Sequence, residues 1–370
     1  MPCHPRRPYL LTVLAASCWA AGVGTAVGQE TIATSQGVPG QRVDFVMAPF
    51  VDHFKGVTVW SERVPGPGGA EQQRHFLTTS IGGVRVRLPI EPRLGVPFDA
   101  DLGPDADGNV VAVYSRCRVE PTDGRVTETV SGRVPASADP TPAYSAGRGC
   151  DLFRFDFKSG RETRIAGAST SGASEMLPSI WEGRIAFVRV YERRSGDRGR
   201  YPYIYTRSLG GGTSVREPGG SRGIYGLPGP TSLDLYGRKL SFAWNYVTGD
   251  PRDRSATAMT ELRLNFTGSS KRRLLGQRDS GSYLSPTGSR GRIHYGYQRV
   301  EDGSTDQRGG PSSESRARLS YDISDGERSI SRVPGELLVS MAVDGRTIVY
   351  GVADDDWGTA FSAKVLRDQL

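Results

Sequence analysis

Five carboxylates, Asp99, Asp101, Glu175, Asp234 and Glu336, recur in short apolar stretches spread along most of the chain. Gathered around one axis, such a set could hold a cation or a basic ligand, or supply a general acid and a general base. The same side chains also serve as acceptors for backbone N–H groups or water in a polar channel. Spacing alone leaves these roles open. Other chemistry is sparse. The histidines His53, His75 and His294 lie far apart, none beside another ligand type, and each reads as a strand or surface residue. No serine nucleophile elbow with its hydrolase half is read in the chain, and no Ser-x-Asp-x-Gly-x-x-Trp box occurs. Asp105-Ala106-Asp107-Gly108-Asn109 has the flavour of a Ca²⁺ loop, but its glycine comes too early and no terminal Glu follows, so it reads as a hairpin turn. Asn265-Phe266-Thr267 is read as turn chemistry. No metal and no cofactor are expected.

The elements that must position those carboxylates show as a repeat. A glycine opening an apolar, aromatic-ended stretch recurs at Gly183, Gly237, Gly291 and Gly345, 54 residues apart each time. Looser copies run from Gly56 to Trp60 and from Gly108 to Tyr114. A fixed period of this size marks a unit that buries its apolar face only by stacking on its neighbours. Tyr203-Ile204-Tyr205 and Leu262-Arg263-Leu264 alternate with the period of strands. The 48 Gly and 24 Pro residues suit many short strands joined by tight turns. The reading is an all-β chain: a six-bladed β-propeller of four-stranded antiparallel blades. One domain is expected over residues 29–370, its blades beginning near residues 47, 96, 174, 229, 282 and 336. The five carboxylates then fall in or near the innermost strands, around the axial channel.

The last copy has one strand candidate beyond Tyr350, namely Ala363 to Leu370. Residues 31–46 are therefore expected to supply its missing outer strand, which removes an exposed edge. Cys117 ends the second strand of the second blade, and Cys150 opens the third. As antiparallel neighbours they are read as a disulfide across the root of the intervening loop; two thiols or a shared metal are the alternatives. Second-to-third loops are long throughout, Arg116–Gly149 most of all, whereas the turns on the opposite face are short. Long loops on a rigid scaffold are where binding commonly resides.

The segments Gly103-Pro104-Asp105-Ala106-Asp107-Gly108 and Ser285-Pro286-Thr287-Gly288, with the four Gly-Arg strands, resemble the TolB-type, WD40-like β-propeller repeat of bacterial exported proteins. The resemblance covers most of residues 45–370 in degenerate form and implies a propeller without naming a ligand. The TolB family also carries an N-terminal α/β domain, for which no counterpart is read here.

Arg6-Arg7, an apolar core from Leu10 to Val23 and Ala26-Val27-Gly28 read as a signal peptide over residues 1–28. The Arg pair loosely resembles a twin-arginine signal, and Ala15-Ala16-Ser17-Cys18 a lipobox, so lipid attachment through Cys18 is a secondary reading. Polar residues interrupt the apolar core, which argues against a transmembrane anchor. The formal net charge is +7, with only five Lys among 47 basic residues and no long basic run; Lys271-Arg272-Arg273 is the densest patch. This composition does not point to nucleic acid. The expectation is an exported, periplasmic or extracellular, monomeric and non-catalytic propeller. It binds a protein or envelope component through its long-loop face. The alternative is a propeller-fold hydrolase or lyase using the axial carboxylates.

Overall fold

The computed structural model describes residues 30–36, 51–64, 74–94, 96–120, 147–191, 202–222, 229–249, 257–279, 283–301, 318–324, 329–334, 336–354 and 362–369. Residues 1–28, expected to be a signal peptide, and most of the long loops lie outside these described residues. In chain order β1 is Glu30–Gln36, followed by β2 Val51–Phe54, β3 Val57–Val64, β4 Arg74–Ile81, β5 Val84–Arg87 and β6 Arg93–Leu94. The second unit contains β7 Asp101–Pro104, β8 Val110–Val119, β9 Arg148–Asp156 and β10 Arg161–Arg164. The third contains β11 Ala173–Trp181, β12 Arg184–Tyr191, β13 Pro202–Ser208 and β14 Gly211–Arg216. The fourth contains β15 Gly229–Tyr236, β16 Lys239–Thr248, β17 Thr257–Phe266 and β18 Arg272–Asp279. The fifth contains β19 Tyr283–Ser289, β20 Arg292–Glu301, β21 Arg318–Ser324 and β22 Ser329–Pro334. Last come β23 Glu336–Asp344, β24 Thr347–Asp354 and β25 Ser362–Gln369.

These strands form antiparallel sheets, and the innermost strands β2, β7, β11, β15, β19 and β23 touch one another in cyclic order. The result is a β-propeller. Uniform four-stranded blades hold for five sheets; the remaining sheet, β2 to β6, has a fifth strand. Its outer strand is broken. Pro89 and Pro92 lack the N–H that a ladder needs, so pairing on β4 stops after Arg87 and resumes at Arg93–Leu94.

The core lies between blades. Phe54, Val59 and Leu77 of the first unit pack on Phe98, Leu102 and Tyr114 of the second. Val111, Val113 and Leu152 then meet Ile180, Ile185 and Phe187 of the third. Hairpins set the pitch. Lys55-Gly56, Glu182-Gly183 and Arg290-Gly291 all have positive φ, the backbone of a type I′ turn, and glycine reaches it without a Cβ clash. Asp105 accepts hydrogen bonds from the Asp107 and Asn109 N–H groups at 2.9 Å each, so this acidic loop is a turn.

β1 pairs antiparallel with β25, from Glu30 opposite Arg367 to Gln36 opposite Ser362. The N-terminal strand therefore completes the sheet of β23 to β25, and Ala33 is buried with Val349, Val365, Val51 and Trp60. Cys117 and Cys150 face each other across β8 and β9 and form a disulfide. Linking residues 33 apart should stabilise the fold by about 3–4 kcal/mol on the chain-entropy model. Intact-mass analysis after alkylation should find no free thiol at these positions without reductant. Reduction should lower the melting temperature; two alkylatable thiols in the untreated protein would contradict the bridge.

Candidate functional site

The axis holds a polar depression of about 530 Å³, counting the part open to solvent. Every inner strand contributes to its wall, through Asp52, Asp99 to Asp101, Leu177-Pro178, Ser232 to Asp234, Ser285 to Thr287, and Ser340-Met341. The repeat builds this wall directly. β-Bulges begin at Met176, Pro230, Leu284 and Leu338, again 54 residues apart, and each inserts an extra residue into the inner strand opposite its partner. At two of them a non-glycine residue has positive φ, Leu177 at 47° and Ser285 at 38°, each directly before a proline.

The carboxylates of the wall are hydrogen-bonded from blade to blade. Asp52 accepts from the Leu102 N–H, Asp101 from the Ile180 N–H at 2.8 Å, and Asp234 from the Gly288 N–H at 2.6 Å. Hydroxyls take the same part elsewhere. Ser179 accepts from the Leu235 N–H at 2.8 Å, Ser289 from Gly345 at 2.9 Å, and Ser340 from Val51 at 2.9 Å. Asp344 accepts from the Lys55 N–H at 2.7 Å. The bonds pass once around the axis and join every sheet to the next. Close approach makes this possible: a Cβ on Gly103 would stand 2.1 Å from the Ile180 carbonyl oxygen.

Burial dominates the electrostatics. It lifts the Asp52 carboxyl to about 7, with repulsion from Asp344 adding to the rise and the Leu102 and His53 N–H groups opposing it. Asp234 rises to about 8 for the same reason, opposed by the Gly288 N–H and reinforced by Asp52. Asp101 is also held well above the ordinary carboxylate range by burial and then by its neighbours Asp52 and Asp234. Protons are therefore retained on this ring at pH values where exposed aspartates are ionised.

Of the residues expected at the axis, Asp99, Asp101 and Asp234 are there. Asp99 is fully engaged, accepting from the Ser115 N–H and hydroxyl, from Leu177 N–H, and from Arg93 at 3.2 Å. Glu175 is elsewhere. It is completely buried and ion-paired with Arg189 at 2.8 Å, with the Thr170 hydroxyl as a further donor. The Glu336 side chain lies outside the described residues. Asp52 was not anticipated. Its signal is positional: Asp52 opposite Val59 occupies the same place before its hairpin as Asp234 opposite Ser241.

The letters Gly219-Gly220-Ser221-Arg222-Gly223 do spell Gly-x-Ser-x-Gly, but the described part, residues 219–222, is irregular backbone following the outer strand β14. There Ser221 donates to Glu261 at 2.5 Å, and Trp244 donates its indole N–H to the Ser221 carbonyl at 3.0 Å. Among the described residues no group of three or more His, Cys, Asp or Glu could hold a metal ion. His53 and His75 are buried in the first sheet, on β2 and β4, and His294 in the fifth unit on β20; burial pushes His53 down to about 4. No helix among the described residues is long and apolar enough to cross a membrane.

No protein-family model matches the chain, and no curated protein matches it in sequence. Solved structures are similar to it at low identity. TolB from Acinetobacter baumannii is 14% identical with a TM-score of 0.42, over 84% of this chain and 64% of that one. The α-L-arabinanase of Penicillium chrysogenum, solved with arabinobiose, is 13% identical with a TM-score of 0.47, over 92% and 98%. The β-propeller domain of the Trilobed protease of Pyrococcus furiosus is 10% identical with a TM-score of 0.38, over 88% and 96%. The chain thus spans just under two thirds of the TolB chain.

Proposed function

We propose that this chain is an exported, six-bladed, non-catalytic binding propeller. Residues 1–28 are its signal peptide, and the face carrying the second-to-third loops engages a protein or envelope component. One observation carries the non-catalytic reading: Asp52, Asp101 and Asp234 each commit one carboxylate oxygen to the neighbouring blade's backbone N–H. A catalytic acid or base must instead present its oxygen to the substrate. Asp99 offers less still, since four donors already surround it.

The test is capture from envelope extracts by the mature chain and by variants with shortened second-to-third loops. Partners captured by the mature chain should be lost when those loops are shortened. Identical capture by both proteins would sink the reading. A hydrolase or lyase is the second reading, favoured by the proton that Asp234 retains to about pH 8, as a general acid would. A glycoside and ester substrate screen separates the two, because turnover abolished by Asp234→Asn would establish the enzyme.

A further inference from the structure

The blades sort charge by radius. The inner strands β2, β7, β11, β15, β19 and β23 carry six carboxylates and neither Lys nor Arg. The outer strands β1, β5, β6, β10, β14, β18 and β22 carry ten Arg and three carboxylates. Exposed guanidinium groups stand on four successive blades: Arg85 and Arg87, Arg161 and Arg164, Arg216, then Arg272 and Arg273. Glu62 bridges Arg85 and Arg87 at 2.8 and 2.6 Å, and Asp151 binds Arg164 at 2.8 Å, so local carboxylates offset only part of the charge.

We propose that this rim binds a linear acidic polysaccharide. Arginine forks match carboxylates in shape and charge. The surface is convex and runs across several blades of a body about 5 nm across. A flat anionic bilayer would meet one arc of it only. Duplex DNA, stiff over about 50 nm, cannot follow it. Single-stranded nucleic acid is held largely by stacking on aromatic rings, and the outer strands contain no Phe, Tyr or Trp. A flexible chain with regularly placed carboxylates satisfies all of these constraints. This surface is distinct from the long-loop face, so its test is independent of partner capture there.

The experiment measures binding of the mature chain to alginate, with neutral dextran, single-stranded DNA and phosphatidylglycerol vesicles as the other arms. Alginate should bind at about 50 mM salt and be released as salt rises. The triple variant Arg161→Gln, Arg272→Gln, Arg273→Gln should bind at least about tenfold more weakly, with a shallower log–log salt slope. A triple variant with the same charge change at the hairpin turns, Lys55→Gln, Arg238→Gln, Arg346→Gln, should bind as the unaltered chain does. Both variants are first matched to it in melting temperature, and the single Arg273→Gln replaces the rim variant if that melts early. Absence of alginate binding, equal loss in both triple variants, or tighter binding to DNA or vesicles would overturn the proposal.

Discussion

A chain lacking Glu30–Gln36 should lose stability across the whole propeller and not merely a tail. β1 forms six register pairs with β25, and Ala33 fills the seam shared by the last sheet and the first. At about 0.5–1.5 kcal/mol net per hydrogen bond, the lost ladder alone destabilises the fold by about 3 kcal/mol or more. The exposed edge of β25 becomes a template for pairing with a second chain. Scanning calorimetry should therefore show a lower melting temperature with one transition, together with concentration-dependent aggregation. An unchanged transition would mean that the ring does not depend on its terminal strand.

The second large effect lies at the axis. Replacing Asp234 by Leu removes the acceptor of the Gly288 N–H, a bond of 2.6 Å between neighbouring inner strands. A buried donor left without a partner costs about 1–3 kcal/mol. Asp234→Asn keeps a carbonyl acceptor and removes only the ionisable group. Denaturant unfolding at pH 8 should rank the Asn variant at or above the unaltered chain and the Leu variant clearly below it. If Asn and Leu destabilise equally, the carboxylate charge and not its acceptor role holds the blades.

Much of this was legible because it depends on local backbone chemistry. Gly183 and Gly291 mark hairpins in the sequence since their turns need positive φ, and 54-residue spacing follows from stacking identical units. The Cys117–Cys150 bridge follows from neighbouring strands, and the role of β1 from the need to cover an edge. What escaped depends on tertiary register. Glu175 sits just before the bulge that starts at Met176, and an inserted residue changes which face a side chain joins. It therefore meets Arg189 and not the axis. Asp52 belongs to the most degenerate copy, so only its pairing with Val59 reveals its equivalence to Asp234. The break in the first outer strand needed both Pro89 and Pro92, whose effect on pairing appears only once β4 is seen to continue beyond β5.

The axial aspartates are inter-blade acceptors, and burial holds Asp52 and Asp234 largely protonated. Asp52 at about 7 and Asp234 at about 8 lie far above the value of about 3.9 expected in an unfolded chain. Ionisation is thus harder in the folded state, so the stability they contribute is full below about pH 4, falls progressively as pH rises from there, and is lost once pH has passed through about 7 to 8. The decisive measurement is the melting temperature of the unaltered chain and of Asp52→Asn, Asp234→Asn from about pH 5.5 to pH 9. The unaltered chain should melt progressively lower from about pH 5.5 to about 8 and level off above it, and the double variant should lose most of that slope while still folding. A flat or rising profile for the unaltered chain, or the same fall in the double variant, would contradict the account.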